Sequence, residues 1–333
     1  MKHTITRPRI MLKKAKLPNL AFTSLLWKHP TMGPRIAGNM IKARLGRPVL
    51  RTLEASITDE CPGSCPHCFA ADRITGRPLL SAREWQVVID EAVELGAFII
   101  QFSGGEPLVR EDLAEMISMV PSNLAIAVLT TSAFGLDRKR MVELARAGLD
   151  VLIVSLDSDV AREHDAFRGL DGCFSQAVSA LKIGRELGMA TMVNFMILGE
   201  RLSSGTAGRV YGLARSLDAQ LNIFLPAGLG RWSDRPAENL SRAQRDELTR
   251  LLSLRGVRWC GLSNYVGTGC GAGTEKLSVL ADGDVVACSV LPDPVFGNVR
   301  DFTLFDIWVK AGKQASKASC PAADLSSVAR GKV

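Results

Sequence analysis

Between residues 51 and 225 the hydrophobic positions alternate between two periods. Short, nearly continuous apolar runs at 53–58, 98–103, 125–131, 151–156, 191–198 and 221–225 predict strands covered on both faces. Between them apolar residues fall at helical spacing, over 82–95, 111–119, 138–147, 174–187 and 206–217, and again over 242–254. Trp85, Val88, Ile89, Ala92 and Val93 draw one such face. Ser81 stands where an N-cap belongs, and Glu84 completes a capping box with it. Gly96, Gly148 and Gly188 each follow a helical segment, where a left-handed residue ends the helix.

Six strand–helix units in a row predict a parallel sheet with its helices outside. Right-handed crossovers curl such a sheet into a partial (β/α)6 TIM-like barrel. Chemistry in these sheets gathers at the C-terminal strand ends. After about residue 257 the rhythm changes. Residues 277–280, an Asp282-Gly283 turn and residues 285–287 read as a β-hairpin, followed by a short amphipathic helix over 304–310. The α/β chain therefore divides into an N-terminal extension (1–50), a core (51–256) and a small C-terminal region (257–333).

Charge sharpens this division. The net charge is +7, yet residues 1–50 hold 11 of the 41 Lys and Arg and none of the 34 Asp and Glu, which leaves 30 basic against 34 acidic residues in the remainder. The extension reads as a basic arm packed around the main domain or as a peripheral membrane contact, since Leu20, Phe22 and Trp27 are mixed into it. Its basic residues lack an aromatic stacking platform, so no nucleic acid is expected as a partner. No apolar run approaches the roughly 20 residues of a membrane-spanning helix. Residues 20–27 are too short and too interrupted for a secretory signal.

Eight cysteines in such a chain read as metal ligands or redox groups rather than disulfides, and a reducing cytoplasm is the expected location. Cys61, Cys65 and Cys68 follow the first strand with the spacing Cys-x3-Cys-x2-Cys. Soft thiolates this close suit one corner of an iron–sulfur cubane and leave one iron open. A zinc site assisted by His67 is the alternative. Cys173, at a predicted helix start, reads as a small buried thiol.

The three cysteines, together with Ser103-Gly104-Gly105-Glu106-Pro107 at the end of the second strand, resemble the radical S-adenosylmethionine (SAM) superfamily over about residues 51–225. The resemblance implies a 4Fe–4S cluster on Cys61, Cys65 and Cys68, with SAM chelating the open iron. It also implies a 5′-deoxyadenosyl radical that takes a hydrogen atom from substrate, and an electron donor such as flavodoxin or ferredoxin. Gly104, Gly105 and Glu106 would then contact the SAM amino group. Ser155, closing strand four in Ser155-Leu-Asp157, and Arg168, in the stretch from His164 to Gly169, are candidates for its carboxylate. Asn194 on strand five is a candidate contact to SAM or substrate. Thr130-Thr131-Ser132 stands where relatives often have Asn-Gly.

A second resemblance lies beyond the barrel. Cys270, Gly283 and Cys288, with Gly297-Asn298-Val299 and Phe305-Asp306-Ile307-Trp308, resemble the SPASM and twitch extensions, which hold auxiliary clusters. Only Cys320 follows the hairpin, which points to the shorter twitch type with a second, auxiliary 4Fe–4S cluster on Cys270, Cys288 and Cys320. Cys260 is either the fourth ligand or a catalytic hydrogen-atom donor.

By the same resemblance, whose members of this size include enzymes that oxidise or invert a carbon bearing oxygen, the single short extension and mildly acidic core imply a small-molecule substrate of carbohydrate or aminocyclitol type from natural-product biosynthesis, dehydrogenated or epimerised. Arg231 and Glu200 follow late strands, where a general base would lie, although surface charge is the simpler reading of each. Three alternatives stand. One is a peptide-modifying enzyme, against which residues 1–50 look short for a leader-binding domain. The others are a lipid-modifying enzyme using the basic arm, and a non-enzymatic iron–sulfur carrier.

Overall fold

Seven strands run parallel, in chain order, across the centre of the computed structural model, which describes residues 28–71, 76–226, 228–234, 240–259, 270–291 and 293–314. They are β1 (Thr52–Ser56), β2 (Ile99–Ser103), β3 (Ile126–Thr131), β4 (Leu149–Ser155), β5 (Ala190–Met196), β6 (Gln220–Phe224) and β7 (Val257–Trp259). Helices α2 (Ala82–Glu94), α3 (Leu113–Ser118), α4 (Arg138–Arg146), α6 (Cys173–Glu186), α8 (Thr206–Ser216) and α9 (Arg242–Ser253) lie where the periodicity predicts them. The capping box of α2 is formed: Ser81 N–H donates to Glu84 Oε2 at 2.8 Å and Glu84 N–H to Ser81 Oγ at 3.3 Å.

The hairpin is not a separate layer. Its first strand, β8 (Lys276–Val279), pairs in parallel with β1, and β9 (Asp284–Val286) and β10 (Gly297–Asn298) follow antiparallel. The result is one ten-stranded sheet in the order β10-β9-β8-β1-β2-β3-β4-β5-β6-β7, the curled open sheet expected of a partial barrel. Strand β7, which begins at residue 257, pairs with β6. Helix α10 (Leu304–Gln314) covers the sheet with Leu304, Ile307, Trp308 and Ala311.

Alternation along the strands separates two faces. Leu53, Ala55, Phe102, Leu129, Val154, Val193 and Ile223 join the outer core beneath the helices. The inner residues nearest the strand starts (Ile126, Val128, Val151, Ile153 and Met192) form a second apolar cluster, closed by Met32. Met32 opens helix α1 (Met32–Arg44), which the sequence pattern shows only as part of a basic arm. The helix is a floor for the barrel. Asn39 Nδ2 donates to Gly96 O at 2.9 Å, Arg35 to Ala97 O at 3.3 Å, and His29 pairs with Asp150 at 2.9 Å. Two short helices, α5 (Ala161–Arg168) and α7 (Gly199–Ser203), also escape the periodicity because each is too short to show a face.

Residues 28–44 thus pack on protein, while Leu20, Phe22 and Trp27, on which the membrane-contact expectation rests, lie outside the described residues. Among the described residues no helix is long and apolar enough to cross a membrane.

Replacing Met32, 3% exposed, with Ala opens the barrel floor and lowers stability by about 2–5 kcal/mol, read from urea denaturation of the cluster-free chain. A second outcome concerns acid. Hydrogen bonds from Arg300 and from Ser81 hold the Glu84 carboxyl down at about 2, against 4.5 when unfolded. Its contribution is therefore complete above pH 4.5 and lost as pH falls toward 2. Glu84→Gln flattens the loss of thermal stability across that window; an unchanged slope would refute the assignment.

Candidate active site

The loop carrying Cys61, Cys65 and Cys68 has no helix or strand of its own, so its shape comes from three neighbours. From the β2 turn, Gly105 N–H donates to Thr58 O at 2.7 Å and Glu106 N–H to Glu60 O at 2.8 Å. From the end of α5, Arg168 O accepts Ser64 N–H at 3.0 Å. From the turn after β6, Arg231 donates through its backbone to Cys68 O at 3.1 Å and through Nη1 to Cys65 O at 3.0 Å. The glycines are steric requirements. A Cβ on Gly104 would lie 2.3 Å from Thr58 O, and one on Gly105 would lie 2.2 Å from Glu60 O. Gly104 also has φ +139°, which side chains disfavour.

The donor set fits an iron–sulfur cluster. Burial pushes the Cys61 and Cys65 thiols up, against the Gly63 N–H at Cys61 and the Arg168 guanidinium at Cys65, so ionising these two sulfurs calls for positive charge beside them. Three soft thiol donors on one short loop are the chemistry of an iron–sulfur ligand set. His67 is engaged elsewhere. Its ring stacks on Phe167 with centroids 4.7 Å apart, meets Trp232 edge-on, and is kept neutral by burial, which draws its pKa down to about 3.

Glu106 is committed within the protein. Its Oε1 accepts Thr131 Oγ1 at 2.5 Å and Leu108 N–H at 3.2 Å; its Oε2 accepts Ser132 N–H at 2.7 Å and Ser132 Oγ at 2.5 Å. Burial raises its proton affinity while these bonds lower it. The carboxylate therefore buckles the β2 turn to the end of β3. Thr131 and Ser132, which depart from the family's usual Asn-Gly, supply that buckle.

Arg168 is neither a surface residue nor free. It forms a buried ion pair with Asp157, whose other oxygen accepts Arg201 Nη1 at 2.9 Å, and its own Nη1 lies 3.8 Å from Cys65 Sγ. Although burial alone would raise the Asp157 carboxyl, Arg168 and Arg201 hold it well below the usual carboxylate range. Ser155 ends β4 and pairs in register with Asn194 on β5, which pairs with Asn222 on β6. Asn222 Nδ2 donates to Asn194 Oδ1 at 2.8 Å, and Gln101 Nε2 to Thr130 Oγ1 at 3.1 Å. These half-buried groups form a polar belt above the apolar floor. Sequence reasoning missed Arg201, Gln101 and Asn222; strand alternation marks the last two as inward-facing, whereas nothing local marks Arg201.

Of the two late candidates for a base, Arg231 holds the cysteine loop and Glu200 is exposed. Cys173 is buried at the start of α6, donates to Ser132 O at 3.7 Å, and is pushed up by burial to about 12, which makes it an inert thiol. Cys270 is exposed and Cys288 half-buried on either side of β8 and β9. Cys260 and Cys320 lie outside the described residues.

Comparison with known proteins agrees with this geometry. Residues 55–204 match the model of the Radical SAM superfamily, and residues 270–324 match that of the SPASM iron–sulfur cluster-binding domain. The chain is 31% identical to the PqqA peptide cyclase of Gluconobacter oxydans, over 77% of this chain and 76% of that protein. It is also 31% identical to the PqqA peptide cyclase of Methylocella silvestris, over 77% and 73%. Among solved structures it shares the fold of Streptococcus suis SuiB bound to precursor peptide SuiA, with TM-score 0.67, 15% identity and coverage of 83% and 68%. SuiB bound to SAM gives TM-score 0.65 at 16% identity over 78% of this chain, which spans 65% of the length of that one. The thiol loop, its glycine cradle and these matches lead to one conclusion: this chain belongs to the radical SAM superfamily and carries a SPASM domain toward its C-terminal end.

Proposed function

We propose that this chain is a peptide-modifying radical SAM enzyme that forms a bond within a ribosomally made precursor peptide. The observation that carries the reading is the 31% identity to PqqA peptide cyclases across three quarters of their length. The same relatives correct the expectation of a carbohydrate or aminocyclitol substrate, dehydrogenated or epimerised, and of a small molecule as partner. The physical basis of that expectation, an acidic core suited to a cationic sugar, also fails. Asp157, Glu54 and Asp150 are each paired inside the protein with Arg168 and Arg201, Lys276 and His29. What the barrel offers instead is the belt of Gln101, Thr130, Asn194 and Asn222, uncharged donors and acceptors of the kind that pair with peptide amides.

A radical SAM domain implies a 4Fe–4S cluster with SAM, and a SPASM domain implies auxiliary clusters. When bound and reduced by an external donor, they supply a radical able to remove a hydrogen atom from carbon. In this reading Cys61, Cys65 and Cys68 hold the first cluster, and Cys270 and Cys288 belong to the auxiliary set with Cys320 and Cys260. Gly104 and Gly105 let the main chain approach the cluster loop closely, and Glu106 fixes them through Thr131 and Ser132. Arg168, anchored by Asp157, places positive charge beside Cys65. Ser155 and Asn194, at neighbouring strand positions, line the way from that loop into the barrel.

With reductant and SAM, synthetic peptides built from deuterated amino acids deliver deuterium to 5′-deoxyadenosine, and mass spectrometry finds a modified peptide. Transfer from deuterated aminocyclitols with none from peptides would overturn the reading. Gly105→Ala drives a Cβ into Glu60 O, so it removes the iron and the electron paramagnetic resonance signal of the first cluster while the auxiliary signal persists. Full retention of both signals would show that the glycine cradle does not shape the loop.

A further inference from the structure

Strand β1 carries a carboxylate that the reaction at the barrel mouth does not use. Glu54 lies mid-strand on the inner face, opposite Gln101 on β2 and Ser278 on β8. Its side chain is 9% exposed and gathers four groups. Lys276 Nζ lies 2.7 Å from Oε2, and Ser278 Oγ donates to the same oxygen at 2.7 Å. Ser289 Oγ donates to Oε1 at 2.8 Å, and Ser103 Oγ at 3.4 Å.

An ion pair of this kind, with Glu54 buried and Lys276 half-buried, stabilises a fold little better than apolar residues of the same volume, because the charges lose most of their water. The β1–β8 ladder already joins the two strands through four paired positions. The placement of the pair is what sets it apart. The Lys276 ammonium stands between Glu54 and Cys288, donating to Cys288 Sγ at 3.5 Å. Its charge also reaches Cys270, the cysteine before the hairpin. Ser289, next to Cys288, is held by the same carboxylate, so Glu54 fixes both the cation and the turn that presents the sulfur.

We infer that Lys276, clamped by Glu54 of the barrel, is a positioning residue that serves as the fixed counter-cation of the auxiliary cluster and raises its reduction potential. This rests on reading Cys270 and Cys288 as ligands. Reduction adds one negative charge to the cluster, and a half-buried cation held beside a ligating sulfur stabilises that charge. The auxiliary cluster is thereby made a better electron acceptor, through a residue anchored on the strand that leads into the first cluster's loop.

The test uses the full chain carrying Cys61→Ala, Cys65→Ala and Cys68→Ala, loaded with iron and sulfide without air, so that auxiliary iron alone contributes. Redox titration followed by electron paramagnetic resonance compares this parent with Lys276→Arg, with Lys276→Gln, and with the double variant Glu54→Gln, Lys276→Gln. The double variant removes both charges and leaves none orphaned. The expected result is equal iron in all four, a potential in Lys276→Arg close to the parent, and a downward shift in both chains that lack the cation. Equal potentials throughout would overturn the proposal and leave the ligand reading intact. Loss of iron from both Gln-containing chains, with circular dichroism unchanged, would assign the pair to site assembly and also overturn it. A parent that binds no iron would remove the ligand reading and the proposal together.

Discussion

Three thiols on one irregular loop, Cys61 exposed and Cys65 and Cys68 half-buried, and mutually repelling once ionised, are the constraint around which the barrel mouth is organised. Such a loop cannot hold its own shape, because its backbone groups make no ladder and its charges oppose each other. The neighbours answer both problems. Main-chain bonds from the β2 turn, the α5 end and the turn after β6 fix the path. The Arg168 guanidinium, held by Asp157, stands beside Cys65. The glycines at 104 and 105 follow from the same constraint, since a side chain at either position would occupy the space of the loop's carbonyls.

The two cysteine regions share a device. At each, an acidic residue on or just after a barrel strand grips a basic one and turns it toward a sulfur: Asp157 with Arg168 at Cys65, and Glu54 with Lys276 at Cys288. In both cases the carboxylate keeps the basic side chain from swinging to solvent, so a positive charge stays where thiolates would gather. These buried acids therefore serve the protein's own cations. They do not make an anionic pocket.

Below these sites the barrel interior is graded. An apolar floor is sealed by α1, and a belt of carboxamides and hydroxyls lies above it, where the strands approach the cysteine loop. The floor gives rigidity because close-packed side chains resist displacement. The belt gives a surface of uncharged donors and acceptors, paired with one another, next to the chemistry. A peptide, with a donor and an acceptor at nearly every residue, matches such a surface better than it matches a charged cleft.

Local pattern alone specified the strand–helix alternation, the caps at Ser81 and Glu84, the turn at Asp282-Gly283 and the two groups of cysteines. Each depends on residues close in sequence, whose spacing carries the physics directly. The tertiary structure decided what those residues touch. Helix α1 reads as a basic arm because its anchors, Arg35 and Asn39, bind carbonyls at 97 and 96, distant in sequence, which only the fold brings to the helix. The sequence offered Arg168 and Glu106 as candidate SAM contacts; the fold brings Asp157, shared with Arg201, to the first and Thr131 and Ser132 to the second. Glu54 gave no signal in a buried strand, since its partner Lys276 arrives from the far end of the chain through strand pairing. Periodicity and spacing are properties of neighbours along the backbone, whereas the partner of a buried charge is chosen by the fold.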